Sequence, residues 1–152
     1  MTDKILISAC LLGERVRYDA KQKGLTHPLI KQWLKQQRLV PVCPEVCGGL
    51  STPRAAAEMQ MNGCIITTTG EDVTEAFQAG AQKTLQLALQ NNISVAILTE
   101  KSPSCASSKR YDGSFTGQLI DGQGLTTQLL REYGIAVFNQ FQLQQVQEYL
   151  SK

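Results

Sequence analysis

Five cysteines stand in the chain, at positions 10, 43, 47, 64 and 105. Thiolates are soft ligands for zinc and iron–sulfur clusters, and thiols also serve as nucleophiles and redox pairs. Three of the five close apolar runs. Cys10 ends Lys4-Ile-Leu-Ile-Ser-Ala-Cys10, Cys43 ends Leu39-Val-Pro-Val-Cys43, and Cys105 follows Ser94-Val-Ala-Ile-Leu-Thr99 through Lys101-Ser-Pro-Ser-Cys105. Such runs read as strands buried on both faces of a parallel sheet. Parallel strands end on one edge, and ligands of these sheets sit outside that edge. Three thiols distant in sequence are thereby aimed at one crevice, where they suit an inorganic centre. Three thiolates hold zinc with water as a fourth ligand, or an iron–sulfur cluster with one open iron. The spacing matches no C-x2-C zinc knuckle. A Cys43/Cys47 dithiol is a further option, although C-x3-C is not the usual redox motif. Cys64 opens its run instead of closing it and reads as a buried small hydrophobe.

Other reactive side chains lie beside these thiols. Glu45, two residues past Cys43, is a candidate acid or base. Ser102 and Ser104 flank Pro103 ahead of Cys105; they either hydrogen-bond a substrate carbonyl or cap a following helix. Asp19, in Arg17-Tyr18-Asp19, is a site residue or a salt-bridged residue of a basic loop. Asp112-Gly113 is first a turn signal. Arg54 either meets an anionic group or lies on the surface. His27, the sole histidine, adjoins Pro28 at a helix start and reads as exposed, not as a ligand.

The elements that must position these groups alternate between strand and helix. Glu14 to Gly24 reads as a loop, and Thr26 as the cap of a helix carrying Leu29, Ile30, Trp33 and Leu34 on one face. Pro41 removes a ladder donor from the second strand, 39–43. Ala55 to Met59 is predicted to make one helical turn, and Gly63 to Thr69 a strand. Asp72 caps the longest helix, with Glu75 in the capping-box position and Val73, Phe77, Ala81, Leu85 and Ala88 as its buried stripe. Asn91-Asn92 stops it, and Ser94 to Thr99 is the next strand. Ser107 to Gly117 reads as a loop. Leu125 to Tyr133 is a helix closed by Gly134, Ile135 to Phe138 the last strand, and Phe141 to Leu150 a terminal amphipathic helix. The pattern predicts an α/β fold over residues 1–152: one domain with a mostly parallel, Rossmann-like sheet of about five strands and helices on both faces.

Composition sets the outer limits. The chain has 152 residues, is 42% hydrophobic and 18% charged, and carries a net charge of +2. That length supports a core without a disulfide or metal staple, so any metal has to be explained by chemistry. No run of five like charges suggests a nucleic-acid or membrane partner. No apolar run reaches the roughly 18 residues of a membrane helix. The opening Met1-Thr2-Asp3-Lys4 lacks signal-peptide character, so the expectation is a leaderless, cytoplasmic protein with reduced thiols.

Seven separated motifs occur in one order: Ser8-Ala-Cys-Leu-Leu-Gly13, Arg17-Tyr-Asp19, Cys43-Pro-Glu-Val-Cys-Gly-Gly-Leu50, Pro53-Arg54, Gly70-Glu-Asp-Val-Thr74, Ser102-Pro-Ser-Cys105 and Tyr111-Asp-Gly-Ser-Phe115. Together they resemble a small bacterial family, long catalogued as a domain of unknown function, that includes the short thiouracil desulfurases. The resemblance spans essentially the whole chain. It implies a [4Fe–4S] cluster on Cys10, Cys43 and Cys105, with the fourth iron free of protein ligand. It implies conversion of 2-thiouracil or a related thiolated pyrimidine to uracil by non-redox sulfur removal. Glu45, Ser102, Ser104 and Asp19 are then the candidate catalytic residues, and the partner is a small thiolated base with no stable nucleic-acid binding. Cys47 falls where the family pattern is open and is not carried over as a ligand. Ala106 replaces the glycine the family commonly has after the third cysteine. The alternatives are a non-enzymatic iron–sulfur or sulfur-carrier module and a cysteine-bound zinc hydrolase.

Overall fold

The first strand, β1 (Ile5–Ser8), has four residues of which none is more than 3% exposed. Its lack of polar–apolar alternation reflects burial on both faces. In the computed structural model, which describes residues 3–13, 19 and 24–152, a 3-10 turn over Ala9–Leu12 follows it. Next come α1 (Pro28–Lys35), β2 (Leu39–Val42) and the single-turn α2 (Pro44–Cys47). A hairpin of β3 (Ala57–Met59) and β4 (Ile65–Thr67) leads to α3 (Thr74–Gln90) and β5 (Val95–Ile97). A second hairpin, β6 (Lys109–Tyr111) and β7 (Leu119–Asp121), precedes α4 (Leu125–Glu132), β8 (Ala136–Phe138) and α5 (Leu143–Leu150). Among the described residues no helix is long and apolar enough to cross a membrane.

The central sheet is parallel throughout, in the order β2-β1-β5-β8. Alternate residues supply two cores. Leu6 and Ala96 pack with Leu85 and Ala88 of α3 and Leu130 of α4. Ile5, Ile7, Val95 and Ile97 pack on the other face with Ile30 and Trp33 of α1 and Leu143 and Val146 of α5. Strand order reverses beside β1, because the chain runs outward to β2 and then crosses back to β5. A crevice opens outside the carboxyl ends at such a reversal.

Four parallel strands stand where about five were expected. The segment around Ile65–Thr67 is a strand, but it leaves the main sheet. It pairs antiparallel with Ala57–Met59, which was expected to be helical. Gly63, at φ +88, makes the tight turn between them. The loop expected over 107–117 likewise contributes β6 to a hairpin. Pro41 is tolerated because β2 is an edge strand, where one side of the ladder is already unpaired. The cap of α1 is His27 and not Thr26: its Nδ1 accepts the N–H of Leu29 at 3.1 Å. The N-cap of α3 is Val73 and not Asp72, which stands one position earlier and turns its carboxylate to Thr74, accepting from that N–H at 2.9 Å. Hydrogen bonds from the Thr74 hydroxyl and N–H hold its carboxyl below the ordinary aspartate range. Gly134, at φ +80, closes α4 as expected.

Candidate functional site

Each of the three strand-end thiols is placed by its own backbone device. Cys10 lies in the 3-10 turn after β1, closed by Gly13 at φ +91, whose N–H donates to the Cys10 carbonyl at 3.1 Å. The Ser8 hydroxyl accepts the N–H of Thr99 at 3.0 Å and ties the end of β1 to the end of β5. Cys43 occupies the N-cap position of α2, and its carbonyl accepts the N–H of Cys47 at 2.9 Å. That helix sits directly on α3. A Cβ at Gly48 would lie 1.9 Å from the Ala76 carbonyl oxygen, and one at Gly80 would lie 1.9 Å from that of Pro44. Only glycine permits so close an approach.

Cys105 is 4% exposed and belongs to the core over α3 and α4. Its turn is held by polar bonds. The Ser102 hydroxyl accepts the N–H groups of Ser104 (3.0 Å) and Cys105 (3.1 Å), and Thr127 donates its hydroxyl to the Cys105 carbonyl at 2.9 Å. Gly124, at the start of α4, packs so tightly here that a Cβ would lie 2.3 Å from the Ser104 carbonyl carbon. Ala106 is fully buried and lies outside the left-handed region, with its N–H bonded to the Ser102 carbonyl and its own carbonyl accepting from Gly124. The turn therefore accommodates the methyl group that replaces glycine.

Cys10, Cys43 and Cys105 line one cavity of about 480 Å³ at the carboxyl edge of β2, β1 and β5. Among the described residues no three His, Cys, Asp or Glu side chains close on a point the size of one metal ion. Zinc with thiolates at about 2.3 Å would draw them to about 3.8 Å from one another. A cavity of this size lined by three thiols has room for a body larger than a single ion, one that takes each thiolate on a different atom. The donor set is sulfur alone, which fits iron–sulfur chemistry. Burial, then the negative charge of Glu45 and of the Cys43 and Cys10 thiolates, pushes the Cys105 thiol far up. Burial also raises the Cys43 thiol, outweighing the Val46 N–H that favours its thiolate. Deprotonating all three without a compensating cation is thus opposed by desolvation and by mutual repulsion.

Beside the thiols, Glu45 and Arg54 form an ion pair. Arg54 Nε and Nη2 lie 3.1 and 3.0 Å from Glu45 Oε1, with side chains 9% (Arg54) and 19% (Glu45) exposed. Arg54 Nη1 also donates to the Ser51 carbonyl and the Thr52 hydroxyl. The Ser102 hydroxyl donates to the other carboxylate oxygen of Glu45 at 3.4 Å. Since both acceptor positions of Ser102 serve backbone N–H groups, its one proton is left for Glu45.

Not every expected site residue arrives here. Glu45, Ser102 and the three cysteines line the cavity. Ser104 does not; it is fully buried, with its hydroxyl 2.7 Å from that of Thr126. Asp19 is half-buried and is not among the described residues lining the cavity. Its motif partners Arg17 and Tyr18 lie outside the described residues, as does most of the expected 14–24 loop. Cys47 packs against the core beneath α2, and Cys64, expected to be buried, is half-buried on the β3–β4 hairpin; none of the five cysteines is in a disulfide.

Among the contributors that sequence reasoning missed are Glu58 on β3, Glu100, Tyr111 and Phe115. Glu100 lines the cavity and accepts N–H bonds from Ser107 (2.7 Å), Ser108 (3.2 Å) and Lys109 (3.3 Å), hydroxyl bonds from Ser107 and Ser108, and the Asn139 amide. Burial alone would raise its carboxyl, but the bonds from Ser108, Lys109 and Ser107 prevail and hold it below the ordinary glutamate range. Tyr111 and Phe115 add aromatic surface to the wall. The signal for these two is Tyr111-Asp-Gly-Ser-Phe115, in which two rings flank a turn.

A family model described as 2-thiouracil desulfurase matches residues 5–142. A solved structure described as the [4Fe-4S]-dependent thiouracil desulfidase TudS superposes with a TM-score of 0.96 at 45% identity, covering 99% of each chain. An uncharacterized protein of Bacillus subtilis (strain 168), YbbK, is 40% identical over an alignment of 151 positions that covers 93% of this chain and 99% of that one.

Proposed function

The chain belongs to the 2-thiouracil desulfurase family, and on that premise we propose that it converts 2-thiouracil, or a related thiolated pyrimidine, and water to uracil and hydrogen sulfide. The observation that carries this is the convergence of Cys10, Cys43 and Cys105 on one cavity with the Glu45–Arg54 pair in its wall. The three cysteines would hold a [4Fe–4S] cluster. When bound, that cluster supplies an iron without protein ligand, a soft Lewis acid matched to a thiocarbonyl sulfur.

The chain's own residues supply the rest. Arg54 holds Glu45 through Oε1, leaving Oε2 turned toward Ser102. Glu45 takes a proton from the attacking water and returns it as the sulfur leaves, so no net electron is needed. Ser102 positions both Glu45 and the Cys105 turn, and Ser104 supports that turn from behind through Thr126. Asp19 is assigned no step. A cluster-delivery module would display its cluster ligands on a docking face, whereas Cys105 is 4% exposed and Cys10 and Cys43 are half-buried, which favours an enzyme. A site built on reduced cysteines suits a reducing compartment, and we place the protein in the cytoplasm.

The test is anaerobic reconstitution followed by 2-thiouracil. A brown protein releasing uracil and sulfide in equal amounts is expected. Glu45→Gln should retain the colour and lose about 100- to 10,000-fold in kcat. A fully loaded protein that turns over no thiolated pyrimidine would overturn the assignment.

A further inference from the structure

Part of the cavity wall is aromatic, and one aromatic residue is held in an unusual way. Phe115 lies in the connection between β6 and β7, lines the cavity and is 39% exposed. Its backbone sits at φ +59, in the left-handed region that side chains rarely adopt. Relaxed turns place glycine or asparagine there. The support comes from Glu58 on β3, a carboxylate only 9% exposed that lines the same cavity. Its Oε1 accepts the N–H of Gly113 at 3.0 Å and the N–H of Phe115 at 3.1 Å. Gln60 adds a bond from its side-chain amide to the Gly113 carbonyl at 3.1 Å. Gly113, at φ +97, lies so close that a Cβ would be 2.9 Å from the Met59 carbonyl oxygen. Among the described residues no cation pairs with Glu58, so two amide dipoles carry its charge. A nearly buried carboxylate committed to a strained surface turn is a poor stability device. It does fix where one ring stands.

We propose that Phe115 is the plate on which the planar ring of the substrate stacks, and that Glu58 is the positioning residue that holds this plate. The proposal rests on the thiolated-pyrimidine reading for the identity of the ring. Stacking recognises a π face without demanding particular substituents, and leaves the polar edge of the ring to the polar groups of the cavity.

Phe115→Ala should weaken binding of uracil, measured by calorimetry, by roughly 10- to 100-fold, the worth of one base–aromatic stack. KM for 2-thiouracil should rise by the same factor with kcat changed less than about threefold, and the visible absorption of the cluster should be unaltered. Phe115→Tyr should rescue both. Glu58→Ala should reproduce the loss and speed hydrogen exchange at the amides of Gly113 and Phe115. Glu58→Gln, which keeps an Oε1 acceptor, should rescue it. The double variant should bind no more weakly than Phe115→Ala alone. Unchanged uracil affinity and KM in Phe115→Ala would overturn the proposal, as would failure of the unsubstituted protein to bind uracil. An unsubstituted protein that binds uracil through Phe115 yet desulfurates no thiolated base would overturn the proposed reaction and leave the plate standing.

Discussion

Cys43 and Cys105 reach the same cavity on supports of opposite character. Under Cys43, backbone lies against backbone: α2 rests on α3 where Gly48 faces the Ala76 carbonyl and Gly80 faces the Pro44 carbonyl. Nothing charged takes part in that contact, and its exactness comes from steric exclusion. Around Cys105 the chain is gathered by polar bonds. Glu100 draws in the backbone of residues 107–109, Ser102 caps the cysteine turn, and Thr126 and Thr127 of α4 support it from the core side. Steric supports vary little with solvent conditions, whereas supports built on a carboxylate depend on its charge. The two halves of the cysteine cradle should therefore fail in different ways.

The largest effect is expected on the polar side. Glu100→Ala leaves several N–H and O–H donors without their acceptor and should cost about 3 kcal/mol of stability. Loss of cluster retention should accompany it, because the loop between Glu100 and Lys109 carries Cys105. Protonation should act in the same direction. The folded carboxyl titrates below its ordinary value of 4.5, so its contribution is complete above that pH and is lost as the pH falls from there through the lower folded value. Urea midpoints measured from pH 7 to pH 3 should show this acid-side decline, and Glu100→Gln should flatten it. An unchanged decline in Glu100→Gln would move the acid sensitivity elsewhere.

Gly80→Ala tests the steric side. The new methyl would overlap the Pro44 carbonyl, and relief requires α2 to lift from α3. A cost of about 2 kcal/mol is expected, with no added pH dependence. The displacement carries Cys43 and Glu45 with it, so kcat should fall by about tenfold or more. If Gly80→Ala instead acquired the acid sensitivity that Glu100 confers, the division between the two supports would be wrong.

These two supports also differ in how far they could be read from sequence. The strand-end cysteines were legible, since uniform apolar runs mark parallel strands and parallel strands share a carboxyl edge. Both helix-covered faces followed from the same alternation. Gly48 and Gly80 are 32 positions apart, and no local pattern announces that they meet. Glu100 follows a strand and looks solvated; its role exists only because Ser107, Ser108 and Asn139 return to it. The β3–β4 hairpin was half-seen because three-residue strands are too short to display a period of two, and Ala55 to Met59 has helical composition. Thr26 looked the better cap for α1, yet His27 stands next to Pro28 at the first helical position and offers Nδ1 at the required distance. Ser104 was paired with Ser102 by symmetry about Pro103, and the turn itself sends one hydroxyl to the cavity and the other into the core.

The smallest expected effect falls on the contact that joins the two supports. The Ser102 hydroxyl, on the Cys105 side, donates to Glu45, on the Cys43 side, at 3.4 Å. Its other two bonds are to the backbone of its own turn. Ser102→Ala should therefore destabilise by about 1 kcal/mol, the usual worth of such a cap. If the long bond to Glu45 also orients the carboxylate, kcat should fall by about tenfold while the cluster is retained. Ser102→Thr, which keeps the hydroxyl, should recover both properties. Combining Ser102→Ala with Glu45→Gln separates the two roles. Orientation through Glu45 predicts that kcat of the double variant matches Glu45→Gln, because the carboxylate to be oriented is already gone. A further fall in the double variant would mean that Ser102 reaches the substrate on its own account, and that the two halves of the cradle act on the reaction separately.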